Sequence, residues 1–81
     1  MINITRGFIK RMMCRIYRNW GKTVPESKFS DIKVDKYYNR TVCTWNDGED
    51  SIIIRIFDTG EIQSECKIAG ISKSYALFGE E

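Results

Sequence analysis

Two hydrophobic periodicities divide this chain. Ile9, Met12, Met13, Ile16 and Trp20 recur every three or four positions, the spacing that places side chains on one face of an α-helix. Thr5 is a suitable N-cap, Gly21 stands where a left-handed residue closes a helix, and Pro25 prevents resumption. These signals predict a helix over about 5–20. Gly7 weakens its first turn by about 1 kcal/mol relative to Ala, so ordered helix is expected to begin nearer Phe8. Residues 21–31 read as a connector with Phe29 pinned to the core.

From Ile32 the period falls to two. Ile32 and Val34 alternate with Lys33 and Asp35, and a β-rich stretch runs on through Tyr37, Tyr38 and Thr41 to Trp45. Asn46-Asp47-Gly48-Glu49-Asp50 is a turn, because Asn, Asp and Gly tolerate left-handed backbone angles. Ser51 to Phe57 is the clearest strand, with Ile52, Ile54 and Ile56 on one face. Asp58-Thr59-Gly60 then fits a three-residue hairpin loop with Gly60 left-handed. In the next strand Ile62, Ser64, Cys66 and Ile68 share one face and Gln63, Glu65 and Lys67 the other, the alternation of a sheet covered on one side. Ala69 to Phe78 fits an edge strand or irregular packing better than a short helix capped by Ser72.

A small sheet with one apolar face needs a cover, and the helix carries the only other apolar stripe. The expected fold is therefore α+β, a single domain over 1–81. One N-terminal amphipathic helix packs on a three- to four-stranded antiparallel β-meander spanning about 32–78. Twelve Ile against one Leu suit such a sheet, although an AT-rich coding genome has the same effect. With 42% apolar and 30% charged residues the chain reads as globular rather than disordered.

The residue inventory narrows the chemistry. The chain has no His, and Cys14, Cys43 and Cys66 are odd in number with no C-x-x-C spacing. A disulfide scaffold, a zinc site and a thiol–imidazole nucleophile are all poorly supported, and the cysteines read as buried thiols in a reducing, cytoplasmic setting. Asp47, Glu49 and Asp50 lack the spacing of a calcium loop and read as a solvated turn. Asn39-Arg40-Thr41 matches a glycosylation sequon by chance. No phosphate loop or nucleophile elbow is present. No enzyme activity, catalytic residue, metal or cofactor is expected. No run approaches the about 18 apolar residues of a membrane span. The N-terminus lacks a secretory core, and its Arg-rich, acid-free character resembles a mitochondrial presequence only in part.

Charge supplies the one constellation above background. Residues 1–24 hold six basic side chains and no acid, whereas residues 25–81 hold seven basic and eleven acidic ones. Arg11, Arg15, Arg18 and Lys22 fall at spacings of four, three and four, one stripe of the helix opposite its apolar face. Two structural readings compete with a functional one. Cations near a helix C-terminus complement the macrodipole, and the acidic sheet could pair with the stripe inside the monomer. In favour of binding, four of the six N-terminal cations are Arg, the side chain suited to bidentate carboxylate or phosphate contact.

The leading expectation is a small non-catalytic intracellular binding protein, of inhibitor or adaptor type, that meets an acidic surface of a larger protein through this stripe. The alternative is a nucleic-acid-binding regulator using the same cations on phosphates, with Tyr17 flanking the stripe as a stacking side chain. A membrane surface ranks last, because it needs the apolar face that the sheet requires. Arg55 and Phe57, with Ile53, would lie on the outer sheet face as a second contact patch unless the tail around Tyr75 and Phe78 folds over them. A homodimer through this face or an open edge strand is a further option.

Overall fold

Thr5 caps the helix as its sequence position suggests. In the computed structural model, which describes residues 5–78 with side chains as far as Ser74, its hydroxyl accepts from the Phe8 N–H at 3.1 Å. Helix α1 spans Arg6–Arg18, so Gly7 does not delay its start. Gly21 (φ 74°) ends it in a Schellman turn: Lys22 N–H donates to Tyr17 C=O and Gly21 N–H to Arg18 C=O. The connector contains a 3₁₀ turn, Glu26–Phe29, whose Phe29 is buried.

Five strands follow: β1 (Lys33–Lys36), β2 (Arg40–Asn46), β3 (Ser51–Phe57), β4 (Glu61–Ile68) and β5 (Ile71–Phe78). They form one antiparallel meander in sequence order. The α+β architecture matches the expectation, but the strand count exceeds the three or four expected. Two hidden turns explain the difference. Tyr37-Tyr38-Asn39 reverses the chain between β1 and β2, with Tyr37 N–H donating to Arg40 C=O at 2.8 Å; the high β-propensity of two tyrosines had masked it. Ala69 (φ 55°) and Gly70 (φ 80°) turn β4 into β5 with two left-handed residues, an unusual place for Ala. The segment that was ambiguous between strand and helix is thus β5, running beside β4 and not across the outer face.

Register sorts the side chains. Cys43 pairs with Ile54, Trp45 with Ile52, Ile62 with Ile56 and Ser64 with Ile54, so these residues share the face beneath the helix. Against them α1 buries Ile9, Met12, Met13, Ile16 and Tyr17. The Arg6 guanidinium donates to Ile32 C=O at 2.8 Å at the β1 side, while Trp20 lies under Lys73 of β5, 5.0 Å from ring centre to ammonium. The helix therefore crosses the sheet from edge to edge.

An aromatic cluster and one carboxylate lock the C-terminal half of α1. Tyr17, Phe29 and Trp45 meet at centroid distances of 4.9–6.2 Å, and Trp45 Nε1 donates to Lys28 C=O at 3.2 Å. Tyr17 donates its hydroxyl proton to Asp50 at 2.5 Å, and the other Asp50 oxygen accepts from the Ala69 N–H at 3.2 Å. Asp50 thus joins the helix, the β2–β3 turn and the strained β4–β5 turn. Asp47 is structural as well: its carboxylate accepts from the N–H groups of Glu49 and Asp50, and these bonds hold its pKa below the usual carboxylate value.

Two outcomes test this core. Asp50→Ala is expected to lower unfolding free energy by about 2 kcal/mol in urea denaturation, because it strands the Tyr17 hydroxyl and releases Ala69. Burial, reinforced by the bond to Asp50, raises the Tyr17 phenol well above its ordinary range. A raised native pKa means the unfolded chain loses its proton first as pH rises. Stability should hold below pH about 10 and decline above it, and Tyr17→Phe should flatten that decline in pH-dependent melting curves.

Candidate functional site

The residues that cover the sheet also decide which side of α1 faces out. With Ile9, Met13 and Ile16 buried, Arg11, Arg15 and Arg18 are exposed, and Lys22 is exposed in the Schellman turn, beyond the last helical residue and so not on the helical stripe itself. Arg11, Arg15 and Arg18 line a groove of about 430 Å³. Phe8, Met12 and Cys14 contribute its apolar part and Glu26 of the 3₁₀ turn contributes one acid. The Cys14 thiol donates to Val24 C=O at 3.6 Å, which ties the groove to the connector. Arg15 and Arg18 sit in the last helical turn, where the macrodipole favours cations.

The ion pairs Lys28–Asp47 (3.5 Å) and Arg55–Glu65 (2.9 Å) lie elsewhere, and no hydrogen bond or ion pair among the described residues engages Arg11 or Arg18. Arg6, the other Arg of α1, is directed instead to Ile32 C=O. The groove thus presents guanidinium donors beside an apolar surface, a combination that suits a carboxylate- or phosphate-bearing ligand with an apolar portion.

The remaining site expectations divide. Tyr17 does not flank the stripe: at 2% exposure it belongs to the core, because its position places it beside Met13 and Ile16 on the buried arc. Arg55 and Phe57 do lie on the outer sheet face, opposite Val42 and Arg40, and the β5 backbone runs beside β4 and not over them, while the side chains of Tyr75 and Phe78 lie outside the described residues. Arg55 and Phe57 are half-buried, and Arg55 is held by Glu65. They are separated by the sheet from the α1 stripe, so the six residues other than Tyr17 make two surfaces.

A third exposed feature was missed. At the β1–β2 turn Tyr38 is fully exposed (100%) and Tyr37 is 54% exposed, with the Arg40 guanidinium 4.8 Å from the Tyr37 ring centre. Tyr and Arg are the side chains most enriched at protein contacts. Asn39 followed by Arg40 was the only turn signal available there, and the strand-forming tyrosines outweighed it.

Among the described residues no group of three or more His, Cys, Asp and Glu is placed to hold a metal, and no helix is long and apolar enough to cross a membrane. All three cysteines are free thiols. Burial raises the pKa of each, that of Cys43 to about 11. Cys43 and Cys66 are buried, whereas Cys14 is half-buried in the groove wall. Titration of the native protein with a thiol reagent at mildly alkaline pH should therefore modify one site first, mapping to Cys14, and denaturant should release the other two.

No protein-family model, no curated protein and no solved structure matches the chain.

Proposed function

We propose that this protein is a small non-catalytic binding domain that engages an acidic surface of a larger protein through the outward face of α1. The observation that carries this reading is the groove in which Arg11, Arg15 and Arg18 surround an apolar wall. Like charges at i,i+3 and i,i+4 cost a few tenths of a kcal/mol each in an isolated helix. Arg11 and Arg18 have no ion pair among the described residues to offset that cost, so these two side chains are available to something outside the chain. A carboxylate-rich partner recovers the cost through bidentate contacts. Reduced thiols and the lack of His in the sequence suit a cytoplasmic binding role better than a catalytic one.

A protein partner is favoured over nucleic acid because residues 25–81 carry eleven acids against seven cations, and because Tyr17 is not available for stacking on bases. The test is affinity capture from cell lysate, with and without nuclease, using the wild type and Arg11→Glu plus Arg18→Glu. Nuclease-resistant recovery of an acidic protein is expected, reduced at least tenfold by the double substitution while the melting temperature stays within a few degrees. Recovery abolished by nuclease would replace this reading with the phosphate-binding one. Equal capture by both proteins would remove the stripe from the contact.

A further inference from the structure

The groove on α1 has a regular layout. Phe8, Arg11, Met12 and Arg15 stand at i, i+3, i+4 and i+7, and Arg11, Cys14, Arg15 and Arg18 repeat that spacing three residues on. Four residues so spaced surround a hole into which a packed helix inserts one side chain. The helical residues of the groove therefore make two adjoining holes that share Arg11 and Arg15. Phe8 and Met12 are the apolar corners of the first. The small Cys14 is a corner of the second, and the aliphatic stems of the arginines line both.

Charge around the holes restricts what can enter. Arg11 and Arg18 are seven residues apart, about 10.5 Å along the helix axis, and no ion pair among the described residues engages either. Glu26 stands beside the second hole, close enough to the Cys14 thiol to act on its charge, and repels a carboxylate there. The second hole thus suits an apolar side chain, with acids kept to the two arginines. An extended strand cannot match both cations, since its residues three apart span this distance but point to opposite sides. A helix matches them with carboxylates at i and i+7.

We propose that the occupant is an acidic amphipathic helix of a partner protein, laid along α1 with two apolar side chains in the holes and carboxylates on Arg11 and Arg18. This rests on the acidic-partner reading and gives that partner a secondary structure and a spacing. Charge complementarity selects it over a second copy of α1, which would set Arg against Arg, because residues 1–24 contain no acid. The pattern that fits is Glu-Leu-x-x-Leu-x-x-Glu, two apolar residues three apart between acids seven apart.

The probe is an amidated, fluorescein-labelled Ala/Gln-based helical peptide carrying that pattern. Fluorescence anisotropy with the full chain should show saturable binding, lost in Arg11→Glu plus Arg18→Glu. Replacing both Leu by Ala should weaken binding roughly tenfold or more, as should moving the second Glu to five residues from the first. Bound peptide should also slow alkylation of Cys14 roughly fivefold or more, because a side chain in the second hole covers the thiol. The peptide variants leave the protein unaltered, so the test does not depend on a substituted chain folding. Equal binding of all the acid-bearing peptides, still lost in the double variant, would overturn the helix and its spacing while the acidic-partner reading stands. Binding indifferent to the Arg substitutions would overturn both. No binding, or no protection of Cys14, would overturn the docked helix alone.

Discussion

A five-stranded sheet of this size has one apolar face, formed by Ile52, Ile54, Ile56, Ile62 and Ile68 with Cys43, Trp45 and Cys66, and a single helix covers it. Ile9, Met12, Met13, Ile16 and Tyr17 of α1 are the covering side chains. Neither layer can bury its apolar surface alone, so helix and sheet fold as one unit. In an 81-residue chain this burial must offset nearly all of the conformational entropy lost on ordering. The functional consequence is geometric. Once the apolar arc of α1 is committed to the sheet, the position of Arg11, Arg15 and Arg18 on the opposite arc is fixed, and the helix cannot also bury that arc in a membrane.

The placement is made rigid at the C-terminal half of α1. The Tyr17–Phe29–Trp45 cluster packs the 3₁₀ turn against helix and sheet, and Lys28 lies 5.4 Å from the Trp45 ring centre and pairs with Asp47. Asp50 accepts from a helix side chain and from the backbone of a distant turn whose Ala69 adopts an unfavourable left-handed angle. A turn that read as solvated acids is therefore a junction. It supports the groove indirectly, because Arg15 and Arg18 lie within a turn of Tyr17.

How much of this was legible from residues alone varied with the strength of each local signal. The helix and its Thr5 cap, the Gly21 stop, the buried Phe29, the Asp58-Thr59-Gly60 hairpin and the alternation of β3 and β4 follow from periodicity and turn chemistry, although the helix starts at Arg6 and not near Phe8 and ends at Arg18 and not Trp20. The β1–β2 turn did not, since Tyr37 and Tyr38 favour strands and only tertiary pairing reverses the chain there. The Ala69 turn was hidden because its left-handed angle is supported by a carboxylate nineteen positions away in sequence. Tyr17 was misassigned for a related reason: on the helical wheel it borders both faces, and its bond to Asp50 draws it inward. The outward position of the stripe was legible; the groove beside it, which needs Glu26 and the connector, was not.

The central claim is that Arg11 and Arg18 of the basic face are spared from folding and held for a partner. Its most direct test is the unfolding free energy of Arg11→Gln plus Arg18→Gln at low and high salt. Neutralising charges that serve no internal contact is expected to leave stability equal or slightly raised, by a few tenths of a kcal/mol at low salt, with the difference vanishing as salt screens the stripe. A loss of about 1 kcal/mol or more at low salt, recovered at high salt, would show that the stripe pairs with the protein's own acids and would contradict the claim.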